Sequence, residues 1–407
     1  MSHPESRPTD QELHQLFDEA CLAQTGGDFV DAKKKYLLLL GYFPRAAELH
    51  YNLGLVYYRL ENYSAALDEF STALCSQPED GDTLFNLALC QKKSGDNEAA
   101  IATYQKLLNI APDNTDCCYN LAGCYRDNFA DDQAIAWYRK VLALDPEYLP
   151  ALNNLAYMYH RGGDTKQAEL CYRELLAVRP DDESAQYMLD SLLGAPLAQT
   201  PDAYVCSFFD SYAEGFEKNL VDGLGYDSPG QLFVSLVKYC EVNGLPQARE
   251  QGLDLGCGTG LCGVVFTEMV ATLHGVDLSA NMLLQAADKN CYAALYQDSI
   301  VHYLATTAET YDFFLATDVF IYVGALEKIF SGLRAIARPR ALFCFSTEAV
   351  ETGDYQLQKT GRFAYSRSYI NATAAATGWI TLATEATRVR KEREQWLAGD
   401  LWILQLA

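Results

Sequence analysis

The chain has 407 residues, 49% of them hydrophobic, which is enough for two or three packed domains. Its formal net charge is −23 at pH 7, a sign that opposes phosphate neutralisation and argues against a nucleic-acid ligand. Thirteen cysteines without a Cys-x-x-Cys pair exclude a disulfide framework and point to reduced cytosolic thiols and no metal site.

The opening residues Met1–Pro8 lack the apolar core of a secretory signal, so the expected location is cytoplasmic. The longest apolar runs, such as Phe313–Ala316 and Trp402–Leu404, are far too short to cross a bilayer.

From residue 13 the sequence repeats. Pro44, Pro78, Pro112, Pro146 and Pro180 stand 34 residues apart; Ala32, Ala66, Ala100, Ala134 and Ala168 precede them, followed by an aromatic at Tyr36, Phe70, Tyr104, Tyr138 and Tyr172. The spacing predicts two antiparallel helices per period, packed closely at the alanines and ended by the prolines. It resembles the tetratricopeptide repeat (TPR). Five repeats over 13–46, 47–80, 81–114, 115–148 and 149–182 follow a tail at 1–12, and a sixth helix near Glu183–Leu193 is expected to cap the last apolar face, closing the region at 194. Cys117, Cys118 and Cys124 fall inside a repeat as small hydrophobes.

The sixth position of four repeats is asparagine: Asn52, Asn86, Asn120 and Asn154, with Asp18 in the first. Such a ladder offers one amide per repeat to the backbone of an extended protein or peptide partner, and resembles the asparagine ladder of the O-GlcNAc transferase repeats. Tyr51, Phe85 and Tyr119 would line the same wall, and Glu48, Asp82 and Asp116 would favour a basic ligand. The alternative is ordinary repeat chemistry, each amide satisfying nearby backbone. The carboxylate clamp of chaperone-binding repeats is not matched, because its positions hold Tyr51, Phe85, Leu55 and Leu89.

Residues 195–248 read as a linker and lid helices. Ala195–Asp202 is turn-forming, and apolar residues at 205, 208, 209, 212, 216 and 220 have helical spacing. Tyr212 and Phe216 are placed over a cofactor, or else glue the helix to a sheet.

Residues 249–407 alternate strands and helices, with strands expected at 252–256, 271–276, 293–297, 311–316, 341–346, 380–386 and 401–406 and a charged 14-residue hairpin loop before the last. Leu253-Asp-Leu-Gly-Cys-Gly-Thr-Gly260 ends the first strand, and Asp277 ends the second, placed for a ribose. Gly258-x-Gly260-x-x-Gly263 also satisfies the dinucleotide fingerprint, so NAD is a competing cofactor. Asp254 disfavours it, since a carboxylate repels pyrophosphate and attracts the sulfonium and ammonium of S-adenosylmethionine (SAM).

The stretch resembles motif I of class I SAM-dependent methyltransferases, and the whole layout resembles bacterial proteins in which TPR repeats precede such a domain. The resemblance implies an α plus α/β chain: a TPR α-solenoid, then a Rossmann-like seven-stranded sheet with an antiparallel last strand. It also implies SAM contacts from Asp254, Gly256, Cys257, Gly258, Asp277, Leu278, Met282, Asp298, Ser299, Thr317 and, from the lid, Tyr212. Ser279 and Asp298 have an alternative as helix caps. Arg338-Pro339-Arg340-Ala341 replaces the usual Pro-Gly-Gly turn, and the Asn-Pro-Pro-Phe/Tyr motif of amide and adenine N-methyltransferases is absent, so no motif identifies the methyl acceptor.

Acceptor-side candidates are Asp318, Tyr322, Arg362, Tyr365 and Tyr369. The 361–369 segment either caps the site or is a surface loop with Ser366 as a helix N-cap. His302, after a strand end, is read as a helix-surface residue. Three functions are compatible with these residues: a methyltransferase whose repeats recruit a protein partner or substrate, a small-molecule methyltransferase whose repeats drive oligomerisation, and a SAM-binding adaptor without turnover.

Overall fold

The alanine and aromatic periods fold as their spacing demands. The computed structural model describes residues 8–407 except Pro196, Glu214, Gly215, Arg393 and Glu394, and leaves the side chains of Ser211, Tyr212, Lys218, Asn219, Asp222 and Glu392 undescribed. The chain divides into two compact units, 1–171 and 172–407.

The first unit is a series of helical hairpins: α1 (Asp10–Thr25) with α2 (Phe29–Tyr42), α3 (Ala47–Arg59) with α4 (Tyr63–Ser76), α5 (Gly81–Lys93) with α6 (Asn97–Ile110), α7 (Thr115–Asp127) with α8 (Asp131–Leu144), and α9 (Leu149–Gly162) with the start of α10 (Thr165–Val178). The five periodic alanines are fully buried, so the two backbones of a hairpin meet there. One aromatic pair recurs in register: Phe17–Tyr36, Tyr51–Phe70, Phe85–Tyr104 and Tyr119–Tyr138, with centroids 6.3, 6.1, 6.0 and 5.8 Å apart. Asp28, Asn62 and Asp96 cap the second helices at equivalent positions. Helix α1 starts at Asp10, ahead of the repeat boundary at 13, because Thr9 and Glu12 form a capping box.

The second unit begins with the end of α10, then α11 (Glu183–Leu193) and α12 (Asp202–Tyr212). Helix α11, expected to cap the repeats, falls in this unit. Its buried Tyr187 hydroxyl donates to the Gly361 carbonyl at 2.8 Å and lies 2.9 Å from the Thr200 hydroxyl. After α13 (Ser228–Asn243) come β1 (Arg249–Leu255), α14 (Leu261–Phe266), β2 (Val270–Asp277), α15 (Ala280–Asp288), β3 (Ala294–Gln297), α16 (Ile300–Thr306), β4 (Tyr311–Ala316), α17 (Glu327–Ile336), β5 (Ala337–Glu348), β6 (Tyr355–Leu357), β7 (Phe363–Tyr365), α18 (Arg367–Ala376), β8 (Trp379–Glu392) and β9 (Gln395–Leu406).

The main sheet has the order β3-β2-β1-β4-β5-β9-β8, with β9 antiparallel to both neighbours. Each central strand feeds both faces. Phe313 and Leu315 of β4 pack with Leu342 and Cys344 of β5 on one side, while Phe314 pairs with Phe343 and Phe345 on the other. The order reverses between β1 and β4, which opens a crevice beyond their carboxyl ends.

Two expectations need correction. The stretch expected as a 14-residue loop is strand on both sides: β8 runs on to Glu392 and β9 begins at Gln395. Its charges mislead because a register shift between Arg388 and Lys391 turns both Val389 and Arg390 inward, each 1% exposed. The 361–369 segment is not a surface loop, although Ser366 is the helix N-cap that this alternative expected. Phe363–Tyr365 is the buried strand β7 in a small hairpin with β6, and Ser366 caps α18.

Candidate cofactor and acceptor site

The carboxyl ends of β1 and β2 carry the glycine loop and two acids. Gly258 has φ of 53°, and the space where a Cβ would stand is open. A ligand can therefore lie directly on this backbone. Its amide donates to Asp277 Oδ2 at 2.9 Å, and the Ser279 amide donates to Oδ1 at 2.9 Å. Burial raises the Asp277 pKa against these backbone bonds. Beside these amides the two oxygens keep acceptor capacity for a diol.

Asp254 is 1% exposed. Burial pushes its carboxyl up to about 7, opposed by the Tyr292 hydroxyl, which donates to it at 2.7 Å, and reinforced by the nearby Asp277 charge. A cation would favour the ionised form. The buried Thr259 hydroxyl of the same loop has no hydrogen-bond partner among the described residues. An orphaned donor, two acids and an open backbone fit a ribose-bearing cation and do not fit a pyrophosphate.

The remaining expected contacts sit at neighbouring strand ends. Leu278 is half-buried, and Met282 is buried with its amide bonded to the Ser279 cap. The Cys257 side chain packs away from the loop, onto the space beside Gly275, so only its backbone faces outward. Asp298 accepts from the Ser299 amide at 2.7 Å and pairs with His302 Nδ1 at 2.6 Å, and Ser299 caps α16. His302 lies exposed on α16, as expected of a helix-surface residue. The Thr317 hydroxyl lies 3.1 Å from Cys262 Sγ.

Helix α12 is tied to α15. Asp210 accepts from the Ser279 hydroxyl at 2.6 Å, its carbonyl accepts from Asn281 Nδ2 at 3.1 Å, and Gln285 Nε2 donates to the Ala213 carbonyl at 2.6 Å. The Tyr212 side chain lies outside the described residues. Phe216 is described, with its ring 5.8 Å from Phe209, which in turn meets Tyr322 edge-on at 5.2 Å.

Beyond β4 the structure assembles a charged cluster. Asp318 has φ of 58°, its amide donates to the Ser346 hydroxyl at 2.9 Å, and Arg390 Nη1 donates to its Oδ1 at 2.5 Å. The other arm of Arg390 pairs with Glu348. Arg362 joins them: burial opposes its charge, but Tyr322, Glu348 and Asp318 outweigh that and raise its pKa. Asp318, Tyr322 and Arg362, candidates for an acceptor side, thus come together. Tyr365 and Tyr369 do not take that part. The Tyr365 hydroxyl donates to the Phe320 carbonyl at 2.7 Å, and the Tyr369 hydroxyl accepts from the Leu326 amide at 2.8 Å. Both hold the segment after β4 in place.

Glu348, Arg390, Tyr292 and Asp210 are the residues that sequence reasoning missed. Asp210 had a local signal in the Phe-Asp pair of the lid helix; the others arrive by tertiary contact alone.

In the first unit the ladder asparagines are half-buried. Asn86 Nδ2 donates to the Asp82 carbonyl at 2.9 Å and the Tyr51 hydroxyl at 3.2 Å. Asn120 Nδ2 donates to the Asp116 carbonyl at 2.9 Å. Asn154 Nδ2 donates to the Tyr119 hydroxyl at 3.1 Å, and its Oδ1 accepts from Arg126 at 3.3 Å.

Residues 253–340 match the family described as a methyltransferase domain, and segments 17–78, 57–115, 115–148 and 132–192 match tetratricopeptide repeat families. The chain carries tetratricopeptide repeats followed by a methyltransferase domain. No curated protein matches it. Similar solved structures include YrrB, a TPR protein with an unusual peptide-binding site, at 23% identity and a TM-score of 0.39, covering 42% of this chain and 89% of that one. The N-methyltransferase NodS from Bradyrhizobium japonicum WM9, in complex with S-adenosyl-L-homocysteine, has 14% identity and a TM-score of 0.35 over 43% and 85%. Magnesium protoporphyrin IX methyltransferase from Synechocystis PCC 6803, with bound SAM, has 16% identity and a TM-score of 0.38 over 51% and 97%. Among the described residues, no helix of this TPR–methyltransferase chain is long and apolar enough to cross a membrane.

Proposed function

We propose that residues 249–407, with the lid helices of 195–248, are a SAM-dependent methyltransferase, and that the repeats bind a protein partner or substrate. The observation that carries this reading is the placement of Asp254, Gly258, Asp277 and Asp318 at the carboxyl ends of β1, β2 and β4, around the point where strand order reverses.

SAM, the cofactor, supplies an electrophilic methyl group on a sulfonium. Asp277 would hold the ribose hydroxyls, Asp254 the ammonium group, and Asp298 with Ser299 the adenine edge. The lid helix α12, bonded to α15 through Asp210, excludes water. Arg390 fixes the Asp318 carboxylate, and Asp318 with Tyr322 orients the acceptor for in-line attack, where positioning supplies much of the acceleration.

The test is calorimetry of the full chain with SAM and S-adenosylhomocysteine, followed by radiolabelled SAM in native lysate separated into protein, lipid and small-molecule fractions. Label in the protein fraction is expected. Label among small molecules would move the reading to a small-molecule methyltransferase, which the inward amides of Asn86 and Asn154 favour. Binding without any labelled product would leave a SAM-binding adaptor.

A further inference from the structure

Tyr292, in the turn between α15 and β3, has a geometry unlike that of a space-filling residue. Its ring packs against the glycine loop and the start of α14: a Cβ on Gly263 would stand 2.5 Å from ring carbon Cζ, and one on Gly260 would stand 3.1 Å from Cε2. That contact explains the third glycine of the dinucleotide-like pattern, which here makes room for a side chain. The hydroxyl accepts from the Gly263 amide at 3.1 Å and reaches Asp254 Oδ2 at 2.7 Å. A phenol carries one proton, and an amide can only donate, so that proton is directed to the Asp254 carboxylate.

We propose that Tyr292 is a positioning residue for cofactor capture: it orients the Asp254 carboxylate toward the ammonium group of the cofactor and locks that orientation to the shape of the glycine loop through Gly263. The inference rests on the SAM reading above.

The electrostatics agree with the geometry. The titratable groups facing Asp254 are Asp277 at the end of β2, Cys257 in the loop, Cys262 on α14, and Cys291 with Tyr292 in the turn. Burial raises each of the three thiols, which therefore stay neutral, and Asp277 disfavours a second negative charge. The Tyr292 bond works the other way and lowers the Asp254 pKa. Capture of a cation by Asp254 therefore weakens as pH falls through about 7. Without the hydroxyl, the midpoint of that loss moves to higher pH.

The experiment is titration calorimetry of the full chain with S-adenosylhomocysteine from pH 5.5 to 9. Tyr292→Phe should bind roughly tenfold more weakly than wild type at pH 7, as expected for one lost charge-assisted hydrogen bond, and approach wild type at pH 9. Asp254→Asn should bind weakly with no such pH dependence. Gly263→Ala, which displaces the ring by its backbone side, should move the midpoint in the same direction and serves if Tyr292→Phe fails to fold by circular dichroism. Superimposed profiles, or a loss that is equal at every pH, would overturn the inference while leaving SAM binding intact. Wild type that does not bind would overturn the reading beneath it, and the inference with it.

Discussion

At the scale of single residues, the site combines groups that want opposite things from their surroundings. Asp277 is supported by backbone amides, whereas Asp254 is buried with one phenol and pushed up to about 7. A carboxyl raised above its unfolded value of 3.8 keeps its proton in the folded state while the unfolded chain has lost it. Apo stability therefore falls as pH rises from about 4 to 7 and stays low above. Asp254→Asn is expected to raise the apo melting temperature at pH 8, with little change near pH 4, while weakening SAM binding; thermal melts across that range check it. Asp277→Ala is expected to lose about 2–4 kcal/mol of SAM affinity, the scale of two charge-assisted hydrogen bonds, read by calorimetry. Arg390→Met removes the partner of two acids at a buried position and should cost about 3–5 kcal/mol in urea unfolding. These residues differ in how readable they were. Asp254, Gly258 and Asp277 announce themselves because strand, turn and acid are contiguous in the chain. Arg390 and Tyr292 do not, since a bulge aims one inward and a turn 38 residues from Asp254 delivers the other.

At the scale of elements, apolar runs located all seven main strands, most sharply β4 and the second half of β5, which are buried on both faces and have few polar positions to blur them. The ends were another matter. The outer halves of β8 and β9 carry charges, among them Arg390 turned inward to Asp318 and Glu348 and Asp400 held by Arg367, and nothing in composition separates such a ribbon from a loop. The β6–β7 hairpin is too short to show a period. Helix α11 was legible as a helix, while the Tyr187 bond to Gly361 is a tertiary contact that no local pattern shows. A fragment starting at 180 should therefore melt higher than one starting at 195. In the full chain, Tyr187→Phe leaves a buried carbonyl short of a donor and should cost about 1–3 kcal/mol of stability. Equal melting temperatures for the two fragments would show that α11 adds nothing to the second unit.

At the scale of the whole molecule, the first unit was read almost completely, since a strict period is the strongest regularity a sequence can carry. What the period does not disclose is use. The amides of Asn86, Asn120 and Asn154 turn inward, toward their own helices or the neighbouring tyrosines. If the repeats hold an extended polypeptide, that ligand must compete with bonds of roughly 0.5–1.5 kcal/mol each. Replacing all four ladder asparagines by alanine should abolish recovery of a crosslinked partner with helix content unchanged by circular dichroism. A retained partner would make the ladder repeat chemistry alone, and light scattering would then be expected to show self-association.

The charged groups divide along the chain by their proposed roles. Every residue assigned to the cofactor lies between Asp254 and Thr317 or in the lid before it, within or ahead of the segment 253–340 that matches other methyltransferase domains. Glu348, Arg362 and Arg390, which surround Asp318 and Tyr322, are all encoded after that segment ends. The start of β5, at Arg338–Arg340, is thus a seam. On the proposed reading, upstream of it lies the handling of the methyl donor, and downstream lie Glu348, Arg362 and Arg390 of the acceptor wall. Recombination at that seam exchanges the recipient and keeps the donor, and a chimera joined there should retain SAM affinity while changing what it labels.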